Sequence, residues 1–279
     1  MSRQVEDASG RWGWWIVKIV TVLVYIFMFA PILVTIVLSF NSSMFGGFPM
    51  TGLSLQWYAK LFHNDAVLRA FKTSIWIAVL TAGICTTIGV MAALALTRYE
   101  FPGRQWMSTL VILPALVPET ILGVGLLLLM KWAHQPRTYL LLVLGHIMLA
   151  LPFVVLMVQA RLIGIKRVYE EAALSLGANG LSTFKEVTLP LLMPAIVASV
   201  LLVFTISFDN ITASMFWRPP GVETMPTQIL AMLKISISPE INALGTLMIA
   251  ITVGLPLAGG LIARMLSGSR RTLTRENVA

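Results

Sequence analysis

The apolar positions of this chain fall into six long runs, at about residues 14–40, 73–97, 107–130, 138–160, 193–217 and 243–266, with polar and turn-forming residues between them. An α-helix needs roughly 20 mostly apolar residues to cross a hydrocarbon core about 30 Å thick, so each run predicts one membrane span. The first run, Trp14 to Phe40, is too long for the apolar segment of a signal peptide and no A-x-A type cleavage site ends it, so it reads as a retained first span. Three connections are long enough to matter, at about 41–72, 161–192 and 218–242. The first and last contain Gly46-Gly47, Pro49, Pro219-Pro220-Gly221 and Pro239, which punctuate turns and carry no periodic pattern of a separate domain. The expectation is one all-α transmembrane domain over 14–266, flanked by tails at 1–13 and 267–279, with no repeat of fixed period and no low-complexity segment.

Composition makes lipid the main solvent of this fold. Of the 279 residues 57% are hydrophobic and 11% charged, with a mean hydropathy of +0.86, against about 25% charged residues in an ordinary soluble domain. The formal charge of +8 does not point to nucleic acid, because the Lys and Arg residues sit at the ends of apolar runs and form no single basic face. They report topology. With the N-terminus inside, Arg3, Arg11, Arg98, Arg104, Arg161, Lys166, Arg167, Lys185, Arg264, Arg270, Arg271 and Arg275 are cytoplasmic, and Lys18 lies at the inner edge of the first span. Lys60, Arg69, Lys72, Lys131, Arg137, Arg218 and Lys234 are then external. The excess of basic residues inside favours this orientation, with both termini cytoplasmic.

Candidate chemistry is sparse. The one cysteine, Cys85, lies inside an apolar run, which excludes a disulfide framework and a Cys-rich metal site. His63, His134 and His146 lack metal-ligand spacing and read as loop or packing residues, so no metal is expected. There is no G-x-x-x-x-G-K-[ST] phosphate loop, no H-E-x-x-H and no G-x-S-x-G. Two acids do fall within apolar runs, Glu119 and Asp209, and an intramembrane carboxylate usually faces a pathway or a partner. Counting about 1.5 Å per residue, Asp209 lies roughly 22 Å outward from Pro194, and Glu119 about 18 Å from Met107, near mid-membrane. Asp209 leads as a residue of a path for a cationic or amine-bearing solute, with Phe204 and Phe208 four apart on one helix face beside it, where aromatic rings attract ammonium groups. Its plainer reading is a hydrogen-bond acceptor between spans, bridged by Asn210. Glu119 follows Pro114 and Pro118, an arrangement that can stop one helix and start another whose N-terminal dipole favours a carboxylate. Trp217 reads as part of an interfacial aromatic belt, and Gly123 and Gly125 as packing residues.

The connection from Ile165 to Pro194, IKRVYEEAALSLGANGLSTFKEVTLPLLMP, breaks the apolar pattern with two short helical stretches around Gly177-Ala178-Asn179-Gly180. Ala172, Ala173 and Leu176 share a face at a spacing of three to four, and Gly177 lets the chain turn. Glu171, Ala172, Ala173, Gly177, Leu189, Pro190 and Pro194 together resemble the cytoplasmic loop of the permeases of ABC importers, where that loop docks on the ATPase subunit. A generic amphipathic surface helix would account for the alanines but not for the Gly177 spacing or the Leu189-Pro190 pair. The likeness extends over nearly the whole chain. Phe29-Ala30-Pro31 with Ser39-Phe40-Asn41, Ser207-Phe208-Asp209-Asn210, and Ser238-Pro239-Glu240-Ile241-Asn242-Ala243-Leu244 resemble the second permease subunit of spermidine/putrescine importers. Where many polyamine permeases have two adjacent acids, this chain has Asp209 followed by Asn210.

The resemblance implies the type I permease fold with six transmembrane helices and a coupling helix between spans 4 and 5. It implies a bacterial inner-membrane protein acting beside a homologous second permease, an ATPase dimer and a solute-binding protein. ATP and its magnesium would be used on the ATPase partners, with no cofactor on this chain. The expected cargo is a polyamine, with an amino-acid derivative, an opine, a phosphonate, thiamine or ferric iron as alternatives in the same class. An ion-coupled secondary transporter relaying protons through Asp209 and Glu119, and a non-transporting assembly subunit, are the rivals from other classes.

Overall fold

The computed structural model describes the backbone of residues 3–44, 47, 49–235 and 238–276, and the side chains of 13–44, 47, 49–235 and 238–261. The ends of the two expected tails, Gly46, and the side chains of Arg3, Arg11, Arg264, Arg270, Arg271 and Arg275 lie outside the described residues. Among the described residues the regular structure is helical, apart from an isolated bridge between Asn41 and Leu53. Close contacts divide the chain into two compact units, Met1–His63 with Met232–Leu247 and Asn64–Ala231 with Met248–Ala279.

The first unit contains α1 (Arg3–Leu38) and α2 (Gln56–Phe62). The side chains of α1 from Gly13 to Phe29 are all exposed, as expected of a helix whose apolar surface is solvated by lipid. The helix stops at Leu38, two residues before the predicted end of the first span, because Ser39 and Asn41 turn the chain. The Ser39 hydroxyl lies 2.7 Å from the Tyr58 hydroxyl, and the Trp57 indole N–H donates to the Asn41 carbonyl at 2.6 Å. The Asn41 side chain donates to the Gly47 carbonyl and accepts from the Ser43 N–H. Side-chain bonds of this kind compete with helix continuation. Lys60 pairs with the buried Glu240 at 2.8 Å.

The second unit is built on α3 (Asp65–Arg98), α6 (Tyr139–Ile163) and α9 (Leu189–Phe208), which pack on one another. The second span begins eight residues earlier than its apolar run. Asn64 accepts from the N–H groups of Ala66 and Val67, and this N-cap draws Arg69 and Lys72 out of the predicted loop into the first turns of α3. The third span is not straight: α4 (Arg104–Leu116) and α5 (Glu119–Trp132) meet at an angle of 107°. Pro118 has no N–H to continue the hydrogen-bond ladder, and it forces Val117 into an extended conformation, φ −92°, ψ 133°. At about 1.5 Å per residue each half is only some 20 Å long. The count of about 18 Å from Met107 to Glu119 runs along α4 and ends just past this bend. The fifth span is likewise interrupted, with Asp209 ending α9 and Asn210 capping α10 (Ile211–Trp217). Helices α7 (Val168–Ser175) and α8 (Gly180–Thr183) form the connection before it, α11 (Met225–Ile235) lies in the last long connection, and α12 (Pro239–Glu276) carries the sixth span. Among the described residues five helices are long and apolar enough to cross a membrane, or six with the bent pair taken as one span.

Trp217 corrects an expectation. It is fully buried, and its indole N–H donates to the Gly123 carbonyl at 2.9 Å. A Cβ on Gly145 would lie 1.9 Å from the Trp217 ring and one on Gly123 2.5 Å from Phe216, so both glycines leave room for α10. Close approach over small residues is what holds helices together where lipid offers no hydrophobic drive between them. No atom of this chain lies within 4 Å of a Cβ on Gly125, so it does not serve that contact with α10.

Candidate functional site

Two regions carry the candidate residues, the bent connection before the fifth span and the breaks in spans three and five. In the connection, α7 carries Glu171, Ala172 and Ala173, and its C-terminal turn ends at Gly177, whose φ of +91° a side chain with a Cβ adopts only under strain. The Gly177 N–H reaches the Leu174 carbonyl, and the Ala178 N–H the Ala173 carbonyl, which closes the last turn of the helix. Asn179 then caps α8 by accepting from the Ser182 N–H at 2.9 Å. The two short helices expected around Gly177–Gly180 are present, but the second does not end there. It runs through a π turn, Phe184–Thr188, into α9 without a break. Pro190 supplies no N–H to the Glu186 carbonyl four residues back, and the ladder widens just before it, with the Leu189 N–H bonded to the Phe184 carbonyl. Leu189 and Pro190 thus weld the connection to the span. Glu171 and Leu176 are exposed, Leu176 at 90%, so an acid and an apolar knob project from the same bend.

At the second region the two broken spans meet. Glu119, in the first turn of α5, accepts from the side-chain amide of Asn210, which at the same time caps α10 by accepting from the Ala213 N–H at 2.6 Å. Residues 91 positions apart in sequence are joined by one amide. Asn210 is the neutral residue able to do both, donating to a carboxylate with one end and accepting from a backbone N–H with the other; an acid there would set two carboxylates face to face. Asp209 closes α9, its N–H bonded to the Thr205 carbonyl, with an exposed side chain. It stands at the C-terminal end of a 20-residue helix, where the dipole is negative and cations are favoured. Phe204 and Phe208 stack with ring centroids 5.6 Å apart and are buried within this chain.

The sequence reading missed what holds this junction in place. His146 is buried on α6, with Nδ1 2.7 Å from the Ser207 hydroxyl and Nε2 3.4 Å from that of Ser214, one residue on each side of the break in span five. A histidine in the middle of an otherwise apolar span was the available signal, since such a group needs partners. His63 bonds the Ala59 carbonyl, and His134 takes a positive φ of 53°. Among the described residues no three His, Cys, Asp or Glu side chains converge as metal ligands would.

Apolar helices, with spans three and five broken at one polar junction and a bent connection that continues into a span, define a multi-pass membrane protein. Residues 85–271 match the family described as the inner membrane component of binding-protein-dependent transport systems. The chain is 37% identical over 241 residues to the spermidine/putrescine transport system permease protein PotC of Escherichia coli, covering 86% of this chain and 91% of that protein. It is 35% identical over 238 residues to the putrescine transport system permease protein PotI of Escherichia coli, covering 83% and 84%. Its fold matches a chain of a bacterial ABC transporter involved in the import of the acidic polysaccharide alginate with a TM-score of 0.73 at 17% identity, over 95% of this chain and 99% of that one. The chain belongs to the inner membrane components of binding-protein-dependent transport systems, as permease subunit of an ABC importer.

Proposed function

We propose that this permease passes a polyamine, putrescine or spermidine, from an external solute-binding protein into the cytoplasm, paired with a homologous second permease and driven by an ATPase dimer that uses ATP and magnesium. The connection at 161–192 faces the cytoplasm, as do both termini. Glu171, Ala172, Ala173 and Gly177 dock on the ATPase, and Leu189 and Pro190 pass the movement into span five. Closing and opening of the ATPase dimer then rocks the spans so that the cavity between the two permeases faces out and in by turns.

Asp209 is the observation that supports a cationic cargo. An exposed carboxylate at the negative end of a long helix, beside a junction whose other acid, Glu119, already accepts a hydrogen bond from Asn210, attracts an ammonium group. Likeness to permeases named for putrescine and spermidine supports the same cargo. The ion-coupled reading fits poorly with a chain that belongs to the permeases of ABC importers. In cells lacking other polyamine importers, the complete importer is expected to take up radiolabelled putrescine, with excess unlabelled spermidine competing and excess aminoethylphosphonate, thiamine or ferric citrate not competing. Competition by one of the latter, with none by spermidine, contradicts the polyamine assignment.

A further inference from the structure

Glu170 and Glu171 are neighbours on α7, turned by about 100° from each other. Glu171 is exposed, whereas the Glu170 carboxylate turns inward. Arg98 Nε, on the last residue of α3, lies 3.1 Å from its Oε2 and 3.3 Å from its Oε1. The Thr188 hydroxyl, on the last residue of the π turn that leads into α9, donates to Oε1 at 3.0 Å. One carboxylate therefore joins the end of span two, the coupling helix and the start of span five. The segment leading into α7 is tied to the same place. Arg98 also donates to the Ile165 carbonyl at 3.1 Å, and Arg167 donates to the carbonyls of Thr97 and Arg98 at 3.3 and 3.2 Å. Helix ends leave such carbonyls without intrahelical partners, and a guanidinium satisfies them and complements the dipole.

The side chains of Arg98 and Glu170 are only 12% and 18% exposed, so this is not a solvated surface pair of small worth. Removing either partner strands a charge in a partly buried place. A cavity of about 440 Å³ lies against the pair, bounded by Met91, Ala95, Leu174 and Phe184. The polar joint borders this cavity and links α7 to α3.

We propose that Glu170 is the positioning residue that transmits displacement of the coupling helix to spans two and five together, a role separate from docking by Glu171. This rests on the docking reading above. The test uses the assembled importer carrying Ile88→Cys on α3 and Tyr169→Cys on α7, both exposed, spin-labelled beside a buried native Cys85. Pulsed dipolar distances are measured without nucleotide and with ATP trapped, in the Glu170→Gln, Thr188→Val and doubly substituted backgrounds. Native Glu170 is expected to hold one narrow distance in both states, while Glu170→Gln gives a distance that shifts or broadens with ATP. ATP hydrolysed per putrescine imported is expected to rise about tenfold, within the usual range of coupling between sites. The double variant is expected to be no worse than Glu170→Gln, because both substitutions break one joint. A Glu170→Gln distance that stays narrow and unmoved, or a hydrolysis ratio equal to that of the native complex, overturns the proposal. Glu171→Lys separates the two readings: ATPase subunits that remain bound in that variant overturn docking alone, whatever the Glu170 distances show.

Discussion

Replacing Gly177 with valine is expected to abolish coupled uptake while leaving the permease inserted in the membrane. The residue sits at φ +91° with nothing of this chain within 4 Å of where a Cβ would lie, so within the permease the obstacle is backbone conformation and not crowding. Placing an L-residue in the left-handed region costs roughly 1–2 kcal/mol, more for a β-branched one, which depopulates the bend about tenfold or further. Asparagine tolerates that region, so Gly177→Asn is expected to keep most of the uptake. The pair of variants probes the turn itself, because both residues add a side chain of several heavy atoms but only asparagine enters the left-handed region readily. Putrescine uptake and ATPase activity of the assembled complex measure both; equal loss in the two variants contradicts the conformational argument.

The second large effect is expected at Asp209. Two unit charges 4 Å apart attract by about 4 kcal/mol at the effective dielectric near a protein surface, and water in an open cavity screens part of this. Asp209→Ala and Asp209→Asn are both expected to reduce putrescine uptake about ten- to a hundredfold, with Asp209→Glu retaining most of it. The asparagine variant is the informative one, since it preserves size and hydrogen bonding and removes only charge. Uptake at the native level in both Ala and Asn variants takes Asp209 off the path.

These residues also show where the sequence was readable. The helical connection with its glycine was legible because a turn at positive φ needs a particular residue, and the pattern of Glu171, Ala172, Ala173 and Gly177 is local. The apolar runs located the spans, but of the two interruptions that matter they overlooked the one in the fifth. Pro118 was visible as a breaker, yet the size of the bend depends on how α5 packs against α10. The end of α9 at Asp209 has no proline or glycine to announce it; Asn210 stops the helix by capping the next one and holding Glu119, a partner 91 residues away. Trp217 looked interfacial from its place at the end of a run, and only the vacancy left by Gly145 shows that it is buried. Glu170 and Thr188 were hidden for the same reason: their meaning lies in Arg98, which belongs to another span.

Docking on an ATPase requires the bent connection to lie on the cytoplasmic side of the membrane. Leu176, 90% exposed at the tip of that connection, can be replaced by cysteine in a chain whose native Cys85 is buried, and labelled with a membrane-impermeant maleimide. Labelling of Leu176→Cys is expected only in inside-out vesicles, and to be blocked when the ATPase subunits are bound. Labelling in intact right-side-out cells, or in inside-out vesicles to the same extent with and without the ATPase subunits, contradicts it.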